Sequence, residues 1–191
     1  MEMRIKNHLQ FGATRARRVL IGGTLAALAT TLAWAQEQHE HAHENAAPAR
    51  LVQVVRSATR QFADVNTATY AGYTPLFGCV SGPDHGAMGV HYINTALVGD
   101  GEIDSQTPEA IIYEPTNDGM RMVGVEYIVD SATWLANHPA PPMLEGQAFQ
   151  LVGSPNRYGL RPFFELHVWA WRQNPNGAFV DWNNRVSCEH Q

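Results

Sequence analysis

Residues 163–171 read FFELHVWAW, and this stretch decides the fold because its strict alternation predicts a strand with two unlike faces. One face is wholly apolar, as expected of a strand that packs on a core. The other face presents Glu165 and His167 two residues apart, between large aromatic rings that include Trp169. A carboxylate and an imidazole are an unusual lining for a wall that only packs. This face is therefore the starting point for a candidate site.

Two other stretches alternate in the same way, and each carries one ionisable residue. The stretch MGVHYI places His91 on the same face as Gly89, and the stretch MRMVGVEYIV places Glu126 on the same face as Gly124. A missing side chain two residues before each ionisable group predicts open space for a ligand or an ion against the sheet.

The remaining segments complete an α+β pattern. Residues 51–70 have apolar side chains at three- and four-residue steps, which predicts an amphipathic helix, and residues 77–89 are rich in glycine and predict a loop. Further strands are predicted at residues 109–114, 147–152 and 178–182, and a short helix capped by Ser131 at residues 131–137. We expect residues 50–191 to form a single α+β domain, with one long N-terminal helix packed on a curved, mostly antiparallel sheet or partly open barrel.

The beginning of the chain is typical of an exported protein. Residues 1–35 contain basic residues, then an apolar run, then the tripeptide Ala-Trp-Ala, which is the pattern of a cleaved secretory signal peptide. The paired Arg17 and Arg18 leave both the general secretory and the twin-arginine route open. A membrane anchor is the alternative, but the apolar run is shorter than the ~18 to 20 residues that span a bilayer. We expect a periplasmic or secreted protein with no stable membrane insertion after cleavage.

Residues 36–49 read QEQHEHAHENAAPA and predict a disordered, histidine-rich tail, because large apolar residues are missing from them. Imidazoles on a flexible acidic tail can bind copper, zinc or nickel loosely. The three histidines concerned are His39, His41 and His43. A solvated tail with chance histidines is the alternative.

Composition excludes several classes of function. The chain has a formal net charge of −5, and removal of the basic leader makes the remainder more acidic, so a nucleic-acid partner is not expected. Its one lysine, Lys6, is lost with the leader, which excludes Schiff-base chemistry. The two cysteines, Cys79 and Cys188, would meet an oxidising compartment after export. They predict one disulfide, and a reactive thiol is the alternative.

The runs GCVSGP, GAMGVHY and FFELHVWAW resemble a family of small exported bacterial proteins of uncharacterised function. The resemblance covers most of residues 58–188. It implies no activity, cofactor or site residue, so the functional argument depends on the side chains themselves.

The candidate site groups His91, Glu126, Glu165 and His167, because charges buried in apolar strands need partners. Two histidines with one or two carboxylates and an open position are a ligand set for iron, copper or zinc. We expect His91, Glu126 and His167 to bind one divalent metal ion, with Glu165 as the catalytic base or a fourth ligand. Trp169 and Tyr127 are expected at the edge of the pocket, where a small molecule would bind.

Other interpretations of the same residues stay open. A polar pocket without metal would also use them, and in a purely structural network Glu126 and Glu165 would pair with arginines. The arginines considered for that pairing are Arg121, Arg157 and Arg161. If a metal ion is bound, the protein is either a metal-dependent enzyme or a binding protein without turnover.

Overall fold

Six antiparallel strands form one curled sheet in the computed structural model, which describes residues 50–82 and 84–191. Its strands are β1 (Thr74–Gly82), β2 (Gly86–Ile93), β3 (Ala110–Thr116), β4 (Gly119–Asp130), β7 (Gln150–Val152) and β8 (Phe163–Val168). They lie side by side in the order β1-β2-β3-β4-β8-β7. Two short strands, β5 (Met143–Leu144) and β6 (Gln147–Ala148), pair separately. The predicted α+β class with a curved antiparallel sheet is confirmed.

The described part of the chain begins within a helix. Residues 50–59 are α-helical (α1), a 3-10 turn follows at Arg60–Ala63, and a second helix spans Val65–Tyr70 (α2). Residue 50 is the first described residue, and the length of the predicted N-terminal helix is not tested. Inside the predicted span the helix is interrupted at Asp64, which has extended backbone and caps α2 by accepting a hydrogen bond from the Asn66 N–H.

The predicted signal peptide at residues 1–35 and the histidine-rich tail at residues 36–49 lie outside the described residues, and so do His39, His41 and His43. Among residues 50–82 and 84–191, no helix is long and apolar enough to cross a membrane.

Alternation along the strands gives the sheet two different faces. On β4, Tyr127 and Val129 point into the main core, where they share an apolar cluster with Leu51 and Val55 of α1. Glu126 and Ile128 point to the opposite face. The main core therefore lies between one face of the sheet and the helices, and the ionisable residues of the candidate site lie on the opposite face.

Several local predictions were wrong. Residues 77–82 belong to strand β1 and not to a loop, residues 178–182 form turns and not a strand, and β8 ends at Val168. A short helix, α3 (Thr95–Asp100), was not predicted. Helix α4 (Ser131–Asn137) has the predicted bounds, but its cap is Asp130, whose carboxylate accepts the Thr133 N–H at 2.9 Å.

The predicted disulfide between Cys79 and Cys188 is confirmed. It joins β1 to the C-terminal segment across a sequence separation of 109 residues. Gln191 adds a second connection, because its side-chain oxygen accepts a hydrogen bond from the Cys79 N–H at 2.9 Å. The C-terminal segment is thus held against the first strand of the sheet.

Candidate metal centre

Strand register brings the candidate ligands together. Glu126 on β4 lies directly opposite His167 on β8, so their side chains project from the same face as neighbours. His91 comes from β2, two strands away from β4. On the strand between them, Ala110 lies opposite Glu126 and Ile112 lies opposite His91, so the His91 ring meets the Glu126 carboxyl group diagonally across β3.

His91 Nε2 is at the centre of the group. It lies 3.3 Å from Glu126 Oε2 and 3.4 Å from His167 Nε2. Two ligands that share one tetrahedral metal ion at about 2.0–2.1 Å lie roughly 3.3–3.4 Å apart. One donor atom from each of the three residues also falls within 4.8 Å of the other two. The donor set and its spacing therefore fit a transition-metal ion.

His91 Nε2 faces Glu126 and His167, which leaves Nδ1 as the ring nitrogen available to the backbone. Burial lowers the pKa of His91 to about 4, and the backbone of Gly89 opposes this shift in part. Metal-binding histidines commonly donate their other ring N–H to a carbonyl.

His167 is 1 % exposed, and its Nδ1 has no hydrogen-bond partner among the described residues. The nearest acidic oxygens, Glu126 Oε1 and Asp181 Oδ1, are each 3.8 Å away, which is too long for a hydrogen bond. Burial, followed by the neighbouring His91, lowers the pKa of His167 well below its ordinary value. A buried ring nitrogen without a hydrogen-bond partner is costly unless a bound group satisfies it, and Nδ1 is the nitrogen that faces Glu126 and Asp181, not the one that faces His91.

The carboxyl groups around the histidines all have raised pKa values. Burial, and next the charge of Glu165, raise the pKa of Glu126 well above its ordinary value. Burial raises the pKa of Glu165 to about 7, and burial also raises that of Asp181. A bound cation would compensate their charge and lower these pKa values.

Arginines do not supply that compensation. Arg121 pairs with Glu114, and Arg161 pairs with Asp130 at 3.3 Å. Arg157 instead donates to a backbone carbonyl and lies over the ring of Trp182. Within residues 50–82 and 84–191, no arginine forms an ion pair with Glu126 or Glu165, so the structural network proposed from the sequence does not form with these partners.

Asp181 is the site residue that the sequence did not reveal. Together with Glu165 and His167 it forms a second group of donor atoms within 4.8 Å of one another. It belongs to the turns at 178–182, which were expected to form a strand, and a single aspartate in a turn carries no periodic signal. Only the fold of the C-terminal segment over β8 places it next to His167.

Comparisons with protein-family models, curated proteins and solved structures gave no match. The resemblance to a family of small exported bacterial proteins therefore stays a prediction, and function must be argued from the site.

A cavity of about 410 Å³ opens above the site. His91, Glu126 and Glu165 line its polar end, whereas His167 and Asp181 are not part of its lining. Most of the remaining lining is apolar, and Asp130 and Arg161 belong to it as an ion pair. A metal ion bound by the three ligands would therefore be reached through this cavity.

The expected pocket residues Trp169 and Tyr127 do not line this cavity. Tyr127 is on the core face of β4, and its hydroxyl donates to the Ser105 carbonyl at 2.6 Å. Trp169 is buried behind His167, with the two rings stacked at a centroid distance of 6.1 Å. Trp169 supports the imidazole and offers no surface to a bound molecule.

The glycines also act differently from the prediction. A Cβ atom at Gly124 would lie 2.7 Å from the Val168 carbonyl oxygen, and one at Gly89, which has φ +104°, would lie 2.6 Å from that of Tyr113. Both glycines permit close backbone approach, so the space for a ligand does not come from them. Ala110 is the small residue beside the site.

Proposed function

We propose that this protein is an exported metal-binding protein in which His91, Glu126 and His167 hold one divalent transition-metal ion. The observation that carries the proposal is the spacing about His91 Nε2, 3.3 Å to Glu126 Oε2 and 3.4 Å to His167 Nε2. The uncompensated carboxyl groups of Glu126 and Glu165 support it. Two nitrogens and one oxygen suit zinc, iron or copper, and zinc fits the tetrahedral spacing best.

The open side of the site favours an enzyme. Three protein ligands and a free position are typical of catalytic zinc, and the cavity reaches the site from the side that His91, Glu126 and Glu165 line. A metal ion there supplies Lewis acidity to a bound oxygen atom. Glu165 would transfer the proton, because it lines the cavity and burial raises its pKa to about 7, close to the pH at which an acid–base group is most useful.

A binding protein without turnover is the second candidate, and the observation that favours it is the number of donors. Glu165 and Asp181 form a further donor group through the shared His167, so five residues offer donor atoms around that ring. If all of them coordinate, no position is left for a substrate. The d–d spectrum of the Co²⁺-substituted protein distinguishes the two candidates, because four-coordinate cobalt absorbs much more strongly than six-coordinate cobalt.

The first experiment is metal analysis of the mature chain purified without an affinity tag. His39, His41 and His43 should be replaced by alanine, so that the tail does not contribute metal. We expect about one zinc ion per chain, lost in His91→Gln and in His167→Gln and retained in the control His190→Ala, which removes an exposed histidine. Zinc that is absent from the parent protein after incubation with the ion, or retained in both site variants, would contradict the proposal.

A further inference from the structure

The wall of the cavity is an apolar surface with one polar end. A series of aromatic rings runs along it: Phe77 lies 5.5 Å from Tyr158, and Tyr158 lies 6.4 Å from the buried Phe163, measured between ring centroids. The aliphatic side chains that complete the lining are Leu76, Val80, Ile93, Val98, Ile128 and Leu160. A molecule in this cavity would contact mostly hydrocarbon. The polar lining side chains are His91, Glu126 and Glu165 at the site and Thr95, Asp130, Thr133, Tyr158 and Arg161 elsewhere.

Large apolar side chains remain exposed near the cavity. Phe77 is 51 % exposed, Leu160 41 % and Leu76 38 %, although all three line the cavity. Exposed apolar residues that gather at one opening, rather than singly over the surface, mark a binding site for apolar material.

The backbone at Phe77 is in an unfavourable conformation. Phe77 has φ +66°, a left-handed conformation that is unfavourable for a bulky residue. It sits in an irregularity of β1, where the pairing with β2 shifts between Leu76 and Cys79. The Cys79 disulfide and the hydrogen bond from the Cys79 N–H to Gln191 hold the chain directly after it. Strain of this kind clusters at ligand-binding sites, where the surrounding structure maintains it.

Other ligand classes fit the lining poorly. Among the described residues that line the cavity, Arg161 is the one cation, and it already pairs with Asp130. Phosphate and other polyanions would therefore lack a partner. Sugars need many hydrogen-bonding groups, but the Thr133 hydroxyl in the lining already donates to Asp130. The carboxyl groups at the polar end also disfavour an anionic head.

We infer that the cavity binds an uncharged apolar molecule with one hydroxyl or carbonyl oxygen at its end, and that Phe77 covers the bound molecule at the mouth. The oxygen would face His91 and Glu126, and so this inference rests on the proposed function for the identity of its polar anchor. The volume of about 410 Å³ lies at the lower end of the range of roughly 300–1,000 Å³ for small-molecule sites. The ligand is therefore smaller than most drug-sized compounds.

The probe for this inference is 4-butylphenol, titrated calorimetrically into the zinc-loaded mature protein and, separately, into the metal-free protein. Phenol lacks the tail of the probe, and butylbenzene lacks its hydroxyl. We expect one 4-butylphenol per chain and at least tenfold weaker binding of phenol, because full burial of a four-carbon chain contributes about a hundredfold. Butylbenzene should bind with the same affinity in the presence and absence of zinc.

Phe77→Asn should weaken the binding of 4-butylphenol by about tenfold. Asparagine tolerates the left-handed backbone, but it offers no apolar side chain to cover the bound molecule. Its unfolding temperature should not fall. The matched control Leu151→Ala also removes an exposed apolar side chain, outside the cavity, and should leave binding unchanged. If the protein takes up zinc but binds neither 4-butylphenol nor butylbenzene, this inference is overturned and the metal centre is not. An equal affinity of Phe77→Asn and the parent protein for 4-butylphenol would also overturn it. Binding of both compounds to a protein that takes up no zinc would overturn the metal centre and leave the apolar cavity standing.

Discussion

At the scale of single residues, the site is built from groups that are unfavourable on their own. Glu126 is 4 % exposed beside two neutral histidines, and its nearest charged neighbours are carboxyl groups. Removing one partner of a buried ion pair is normally destabilising, because the other charge is left uncompensated. The Glu126 carboxyl group has no positively charged side chain as a partner among the described residues, so its substitution breaks no such pair. The residues are thus arranged for binding rather than for stability.

Substitution of Glu126 should therefore separate stability from binding. Because burial raises the pKa of Glu126, the metal-free folded protein must keep a proton on it, at a cost that grows as pH rises above the ordinary pKa. Glu126→Gln removes that cost, so we expect a higher unfolding temperature of the metal-free protein at pH 8 and loss of zinc binding. Thermal unfolding with and without zinc measures both effects, and a variant less stable than the parent without metal would contradict this explanation.

Glu109 gives a second pH dependence, from a buried carboxyl group outside the donor set. It is 2 % exposed, its carboxylate accepts the Ile128 N–H at 3.0 Å, and burial raises its pKa to about 7. The folded pKa lies above the unfolded value, so the folded state binds more protons between about pH 4.5 and 7. Its contribution to stability is complete below this window and is lost as pH rises through it, by about 3 kcal/mol.

The variant Glu109→Gln tests this prediction. The amide keeps an oxygen for the Ile128 N–H but does not titrate. Denaturant unfolding at several pH values should show a smaller decrease of stability from pH 5 to pH 8 in the variant than in the parent. Parallel curves would mean that Glu109 does not titrate in this window.

At the scale of secondary-structure elements, the strands around the site were predictable where alternation was strong. The E-x-H pair of Glu165 and His167 and the long run of β4 kept a period of two, so their faces and the grouping with His91 followed from the sequence. Strand β1 was missed because glycines and the irregularity at Phe77 interrupt its alternation. Asp181 was missed because contacts distant in sequence, and not a local pattern, bring its turn over β8.

Close packing of β4 and β8 depends on Gly124. A Cβ atom there would lie 2.7 Å from the Val168 carbonyl oxygen, which belongs to backbone that cannot move without shifting β8. We expect Gly124→Ala to lower the free energy of unfolding by about 1–3 kcal/mol. Zinc affinity should fall as well, since β8 carries His167. Chemical denaturation and zinc titration measure the two effects, and Gly153→Ala is the control because its added methyl group meets open space.

At the scale of the whole molecule, one face of the sheet provides stability and the other provides the site. Helix α1 and the apolar residues of β3, β4 and β8 form the main core, whereas the disulfide and the C-terminal segment hold the opposite side. The C-terminal segment also delivers Asp181 to His167. The candidate site therefore combines residues of β2, β4, β8 and the C-terminal segment, which are distant in sequence.

Loss of the disulfide should cost stability without removing the ligands. Cross-linking across a separation of 109 residues contributes about 5 kcal/mol by restricting the unfolded chain. We expect the double variant Cys79→Ser and Cys188→Ser to have a free energy of unfolding that is lower by about that amount, as measured by denaturant unfolding. It should still bind zinc, because neither cysteine belongs to the donor group. Loss of zinc binding by a variant that remains folded would show that the site needs the tether.

The most direct test of the metal centre is anomalous diffraction at the zinc edge from crystals of the mature protein grown with zinc. We expect one strong peak about 2.0–2.1 Å from each of three atoms: His91 Nε2, a Glu126 carboxylate oxygen and His167 Nε2. Zinc peaks found only elsewhere, with these three side chains in contact with one another, would contradict it.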